Sequence, residues 1–265
     1  MGLRHSRGWW NTKRLVRTIA GTIVLLLVAA LAYASWQRAQ MPTDYFALGQ
    51  YYFNANDAPS GAYDLGKAEA DYTASLADNP RGNSLTWFQL GRIDFLQGRF
   101  VAAIYKFDTQ IKYHGDEVPN VYYMRALANA YEAQVSSSTS YWLAAERDFH
   151  QYLTLDPTSP WAHTDLAWVY FSQGKFADMI PILKEGMEQH PGQPWLLNMY
   201  GLALLNVGEK SEALAAFTQA KVAAATLITA DWGHAYPGND PRQWAEGLAS
   251  FKEAIDHNIT LASGQ

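Results

Sequence analysis

The feature that most constrains this chain is a period. Gly174 and Gly208 lie 34 residues apart, and each closes a segment of one design: "HTDLAWVYFSQGKF" from His163 to Phe176 and "LNMYGLALLNVGEK" from Leu197 to Lys210. "TWFQLGRIDFLQGRF", from Thr86 to Phe100, is a third copy. A fixed period of this length means stacked supersecondary units, none of which can bury its apolar face alone. Glycine at 98, 174 and 208 suits the left-handed residue that ends a helix before a tight turn. Pro80, Pro157 and Pro191 fall where a second helix should stop. Each unit therefore reads as a pair of helices. Gly91, Ala128, Ala167 and Gly201 are small enough to admit the second helix of a pair, and Ala103, Ala145 and Ala213 do the reciprocal job.

These positions resemble the tetratricopeptide repeat (TPR) family, whose signature is W-x2-L-G-x2-Y followed by Ala, Phe, Ala and Pro at set distances over 34 residues. The unit from Ser84 supplies Trp87, Leu90, Gly91, Gly98, Ala103 and Phe107, with Asp94 in place of the Tyr. Pro160 opens a unit with Leu166, Ala167, Tyr170, Gly174, Leu183 and Pro191. Pro194 opens another with Gly201, Leu204, Gly208, Ala213, Phe217 and Ala220. Two looser copies carry Leu48, Gly49, Tyr52, Ala68, Tyr72, Ser75 and Pro80, and Leu127, Ala128, Tyr131, Ala145, Phe149, Tyr152 and Pro157. Insertions between their helices are "NANDAPSGAYDLG" and "QVSSSTSYW". The resemblance covers residues 42–227 as five units, 42–82, 84–117, 121–158, 160–193 and 194–227. It implies an all-α fold, a right-handed α-α superhelix. Beyond it, the spacing carries Ala213, Phe217 and Ala220 onto Gly247, Phe251 and Ala254. This places a capping helix at 241–261, opened by Asp240 and Pro241. The "DWGHAYPG" stretch within 228–240 reads as a loop replacing a first helix, because its glycines and proline oppose regular helix.

Charge separates the amino terminus from the rest. Arg4, Arg7, Lys13, Arg14, Arg17 and Arg38 precede the first acidic residue, Asp44, and leave 14 basic residues against 25 acidic ones, a formal charge of −11. Such an acidic body repels phosphate backbones and argues against nucleic acid as a partner. Residues 1–17 form a basic leader, 18–37 an uncharged apolar run and 38–41 a short linker. At about 1.5 Å per residue a helix over 18–37 spans a hydrocarbon core of roughly 30 Å. The excess of basic residues before the run keeps the amino terminus cytoplasmic and sends the repeats across the membrane. An alternative is an exported chain cleaved after Ala32-Tyr33-Ala34. The length of the run and of the leader favours an uncleaved signal anchor. The chain has no cysteine, so thiolate chemistry and disulfides are excluded.

In tetratricopeptide repeats the first helices line a groove, and the resemblance implies which positions face it. Here these are Phe46, Gln50, Phe53 and Asn54; Phe88, Arg92 and Phe95; Tyr122, Arg125 and Asn129; Trp161, Trp168 and Phe171; and Trp195, Asn198 and Asn206. Rings with amides between them suit an extended polypeptide. Chaperone-binding members clamp a terminal carboxylate. Arg125 and Asn129 match two clamp positions, but Asp165, Trp195 and Met199 occupy the next ones, which argues against that ligand. No phosphate loop, dinucleotide fingerprint, nucleophile elbow or zinc motif occurs, so no cofactor is implied. The single catalytic or metal candidate is Asp231, His234 and Asp240 with Tyr236. The sequence thus predicts a non-enzymatic, membrane-anchored adaptor for protein or peptide partners. By resemblance to bacterial anchored repeat proteins it would assemble an envelope complex. Two alternatives stay open: a regulatory subunit or enzyme using the 231–240 loop, and a solenoid that self-assembles as a homo-oligomer.

Overall fold

A computed structural model describes residues 6–39, 44–53, 63–236 and 239–264. The chain divides into two compact units, Met1–Thr43 and Asp44–Gln265. The first holds one helix, α1 (Ser6–Ala39), of 34 residues. Within it Thr18–Trp36 has a mean hydropathy of 2.1, and none of this stretch is buried in protein. A helix apolar on all sides has no face suited to water. It is long and apolar enough to cross a membrane, a property that signal sequences share.

In the second unit, helices follow one another in antiparallel pairs. They are α2 (Tyr45–Phe53) and α3 (Leu65–Asp78), α4 (Thr86–Leu96) and α5 (Phe100–His114), and α6 (Asn120–Ser136) and α7 (Thr139–Leu155). Then come α8 (Pro160–Ser172) and α9 (Phe176–Gln189), α10 (Pro194–Asn206) and α11 (Lys210–Ala224), and α12 (Thr229–Ala235) and α13 (Trp244–Ser263). No strand occurs among the described residues. Local chemistry sets the boundaries. Ser159 and Gln193 cap α8 and α10 by accepting backbone N–H groups, each just before a proline at the first helical position. Gly98, Gly174 and Gly208 adopt φ of 74°, 72° and 95° between the helices of three pairs.

The core is distributed along the stack in linked clusters. Ala167, Met179, Leu183, Leu196 and Ala203, for example, join α8, α9 and α10, as expected where each repeat contacts only its neighbours. Within a pair the fit depends on close approach. A Cβ at Gly91 would stand 2.5 Å from the Phe107 ring, and one at Gly201 equally close to Phe217. First helices also touch the next first helix, α4 on α6, α6 on α8 and α8 on α10. They therefore form the inner wall of the curve.

Two expectations are corrected. "QVSSSTSYW" is not an inserted loop: α6 runs on to Ser136 and α7 begins at Thr139, each 17 residues long. Ser137, at φ 56°, makes the reversal in the left-handed region, so the extra residues lengthen both helices. The stretch at 228–240 is not wholly a loop either, because α12 occupies Thr229–Ala235. Tertiary packing overrides its weak propensity. The Trp244 ring lies where a Cβ of Gly233 would be, the Trp232 ring lies likewise over Gly247, and the Asp231 carboxylate accepts the Ile228 N–H at 2.7 Å. The last helix starts with a short 3-10 turn at Pro241–Gln243 and becomes α-helical from Trp244.

Candidate functional site

The inner wall is built from α2, α4, α6, α8 and α10, and its predicted contact residues divide by what they already touch. Asn54 lies outside the described residues. Phe53, Phe88, Asn129, Trp195 and Asn198 are buried, which removes them from a ligand-facing role. Phe88 packs on Phe107 at 6.0 Å. Trp195 stacks on Phe251 of α13 at 4.7 Å and 6°. Asn198 accepts from Asn258 of α13 at 3.0 Å. Phe46 is half-buried against Tyr72. Gln50 accepts from the Tyr72 hydroxyl at 2.5 Å and the Gln89 amide at 3.0 Å.

The two arginines are both engaged. Arg92 lies over the Phe53 and Phe88 rings at 4.6 and 5.8 Å and donates to Gln89. Burial lowers its pKa to about 10, which leaves it charged at neutral pH. Arg125 donates from Nε and Nη2 to the two Asp148 oxygens at 2.7 and 2.8 Å, and from Nη1 to Asp108 at 2.6 Å. Asn129 donates to the Arg125 carbonyl. The fork that would grip a terminal carboxylate is thus already filled by this chain's own acids.

What remains open is aromatic. Trp161 meets Trp195 edge to face at 5.2 Å. Trp168 contacts Tyr131 at 5.2 Å and Trp142 at 6.3 Å, while Phe95 contacts Tyr131 at 5.4 Å. Trp168 and Phe171 line an open depression of about 640 Å³ with Trp142, Met199 and Leu202. Tyr122 donates to Asp116 at 2.5 Å, and Asn206 is exposed, its amide bonded to the Leu202 carbonyl.

No family model and no curated protein matches the sequence. Among solved structures, the crystal structure of MamA aligns with a TM-score of 0.55 at 22% identity, over 66% of this chain and 96% of that one. A thermophilic TPR protein from Thermus thermophilus aligns at 0.51 and 17%, over 78% and 96%. PilW, a widely conserved type IV pilus biogenesis factor, aligns at 0.55 and 15%, over 82% and 90%. The fold is a TPR solenoid.

Within that solenoid the groove floor holds residues outside the predicted contact set, among them Asp165, which the repeat positions place only as a departure from the carboxylate clamp. The Asp165 carboxylate, on α8, accepts a hydrogen bond from the Tyr123 hydroxyl of α6, and the residue as a whole is half-buried. Desolvation raises its pKa to about 6. Tyr236, just past α12, places its hydroxyl within electrostatic reach of Asp165 and Tyr131. It also approaches the buried indole N–H of Trp195, which completes no hydrogen bond of normal geometry. Tyr63, just before α3, lies within reach of Arg92, Asp240 and Arg242. Asp240 and Arg242 therefore lie on the side of the first repeat. A sequence signal for Asp165 does exist: it is the single acid in the apolar α8, "PWAHTDLAWVYFS".

The 231–240 candidate does not assemble. Asp231 caps α12, His234 is exposed, and Asp240 accepts from the Arg242 backbone and pairs with its guanidinium. No cluster of three or more potential metal-binding side chains occurs among the described residues.

Proposed function

We propose that this chain is a non-enzymatic scaffold, held to a membrane by α1, whose TPR groove binds an extended polypeptide on the extracytoplasmic side during assembly of an envelope complex. The observation that carries the reading is the set of rings left accessible on consecutive first helices, Phe95, Tyr131, Trp161, Trp168 and Phe171, while their buried counterparts fix the wall. Aromatic side chains in a largely preformed groove give contact area at low ordering cost. The basic leader ahead of an apolar helix, followed by an acidic body, supports the orientation.

A photo-crosslinking amino acid placed at Trp168, and separately at Tyr105, tests this in intact cells. Tyr105 is 66% exposed on the second helix α5. A discrete heterologous adduct from position 168 and none from 105 is the expected result. Equal adducts from both positions would refute groove binding. An adduct of twice the chain mass at 168 would support self-assembly instead.

A further inference from the structure

Carboxylates buried elsewhere in the stack have cations beside them. Asp94, 1% exposed, pairs with Arg99 and Lys106, and Asp148, 2% exposed, pairs with Arg125. Asp165 differs: among the described residues it has no ion pair, and its one hydrogen bond comes from Tyr123. It is also the one of the three that keeps access to solvent, on the concave wall. Its surroundings are tyrosines, one of them bonded to it through the hydroxyl. Tyr123 and Tyr131 come from α6, Tyr236 from beyond α12, and Trp168 lies one helical turn along α8 against Tyr131. A carboxylate with no cation beside it attracts one by charge, and the neighbouring phenol oxygen keeps a lone pair that can accept a hydrogen bond from an ammonium or guanidinium group.

We infer that Asp165, with Tyr123, Tyr131, Tyr236 and Trp168, forms a subsite on the groove floor for a cationic side chain, lysine or arginine, of the bound polypeptide. This rests on the groove reading above and gives it a ligand chemistry. It inverts the carboxylate clamp: the arginine at the clamp position is neutralised by Asp148 and Asp108, and the acid is what the groove leaves unneutralised. The formal charge of −11 after the amino-terminal segment draws a basic ligand in the same direction. Desolvation without a counter-ion is what raises this carboxyl, and a bound cation offsets it.

The test uses the full-length protein in nanodiscs and four fluorescent nonapeptides. These share a Gly, Ala, Phe and Asn background and differ only at the central residue, which is lysine, arginine, citrulline or norleucine. Anisotropy should show the lysine or arginine peptide binding about tenfold tighter than its neutral counterpart. Asp165→Asn, which keeps an oxygen for the Tyr123 hydroxyl, should reduce that preference to within about twofold and leave the neutral peptides unchanged. A pH series on the wild type reads the same group should the variant not fold. The preference should shrink between pH 7.5 and 5, since the facing hydroxyls of Tyr123, Tyr131 and Tyr236, and that of Tyr152 behind Tyr123, all titrate above their ordinary values. Equal binding of all four peptides, or a preference that survives Asp165→Asn, would overturn the cationic subsite while the groove reading stands. Binding of none would overturn the groove reading and the subsite with it.

Discussion

Arg125 and Asp165 occupy equivalent walls of neighbouring repeats, yet their environments give them opposite roles. Arg125 is a structural residue: its fork is filled by Asp148, itself 2% exposed. Removing the cation strands that carboxylate, so Arg125→Ala should cost about 3 kcal/mol in denaturant-monitored unfolding. A loss well under 1 kcal/mol would mean that the fork is available to ligands after all. For Asp165 the sign is reversed. Its folded-state pKa, about 6, lies above the ordinary 3.8, so the folded chain holds this proton more tightly than the unfolded one. The associated stability is complete below the ordinary carboxylate range and is lost as pH rises through about 6. Asparagine, permanently neutral and nearly isosteric, keeps it. Asp165→Asn should therefore raise the melting temperature at pH 7.5 and leave it close to wild type near pH 4. A variant less stable than wild type at pH 7.5 would mean that the charge is compensated within the fold. A gain in stability with loss of cation preference is the pattern of a residue kept for binding.

Whether a helix was readable in advance depended on whether its contacts were local. The α4–α5 and α10–α11 pairs were legible because glycine and its facing ring sit at one fixed offset, Gly91 with Phe107 and Gly201 with Phe217. The "QVSSSTSYW" stretch misled because five extra residues can lengthen two helices as readily as form a loop, and only the left-handed Ser137 marks the turn. Residues 229–235 misled more deeply, since glycine opposes helix there until the Trp244 ring needs the missing side chain. The Trp–Gly interlock of α12 and α13 is thus the element's main stabiliser. Gly233→Ala would put a Cβ 2.6 Å from the Trp244 ring, and its gain in helix propensity cannot compensate the clash. We expect a loss of about 1–3 kcal/mol, with faster hydrogen exchange confined to α12 and the first turns of α13. Uniform acceleration through α4–α11 would show that the last pair is not a separable cap. Tyr236 leaves the end of this same helix, so loosening the interlock should also weaken the cation preference at Asp165.

At the scale of the molecule, the solenoid was legible because each repeat is defined by its own residues and its immediate neighbours. The site was not, because it is made by stacking: the Tyr123–Asp165 hydrogen bond joins residues 42 apart in different repeats, and Tyr236 reaches the same floor from a third place. Repeat arithmetic assigns positions to a wall without saying which of them the fold consumes, and so it could not separate buried Trp195 from open Trp168. The amino-terminal helix poses the corresponding question for the whole chain, because an anchor and a cleaved signal share length and apolarity. An anchor confines the groove to a layer beside the membrane, where encounter with an envelope partner is a search in two dimensions; a cleaved signal would leave the groove free to diffuse. Alkaline extraction of membranes followed by mass measurement distinguishes them. The expected species is the uncleaved chain of 29.6 kDa in the pellet, and a soluble form beginning near Ser35 would overturn the anchor. Leu26→Arg sharpens the test, since an arginine at the middle of a span costs about 2.5–3.5 kcal/mol of insertion. It should move the chain out of the pellet fraction, while the repeat unit of residues 44–265, compact in its own right, keeps its helical signal and its thermal transition.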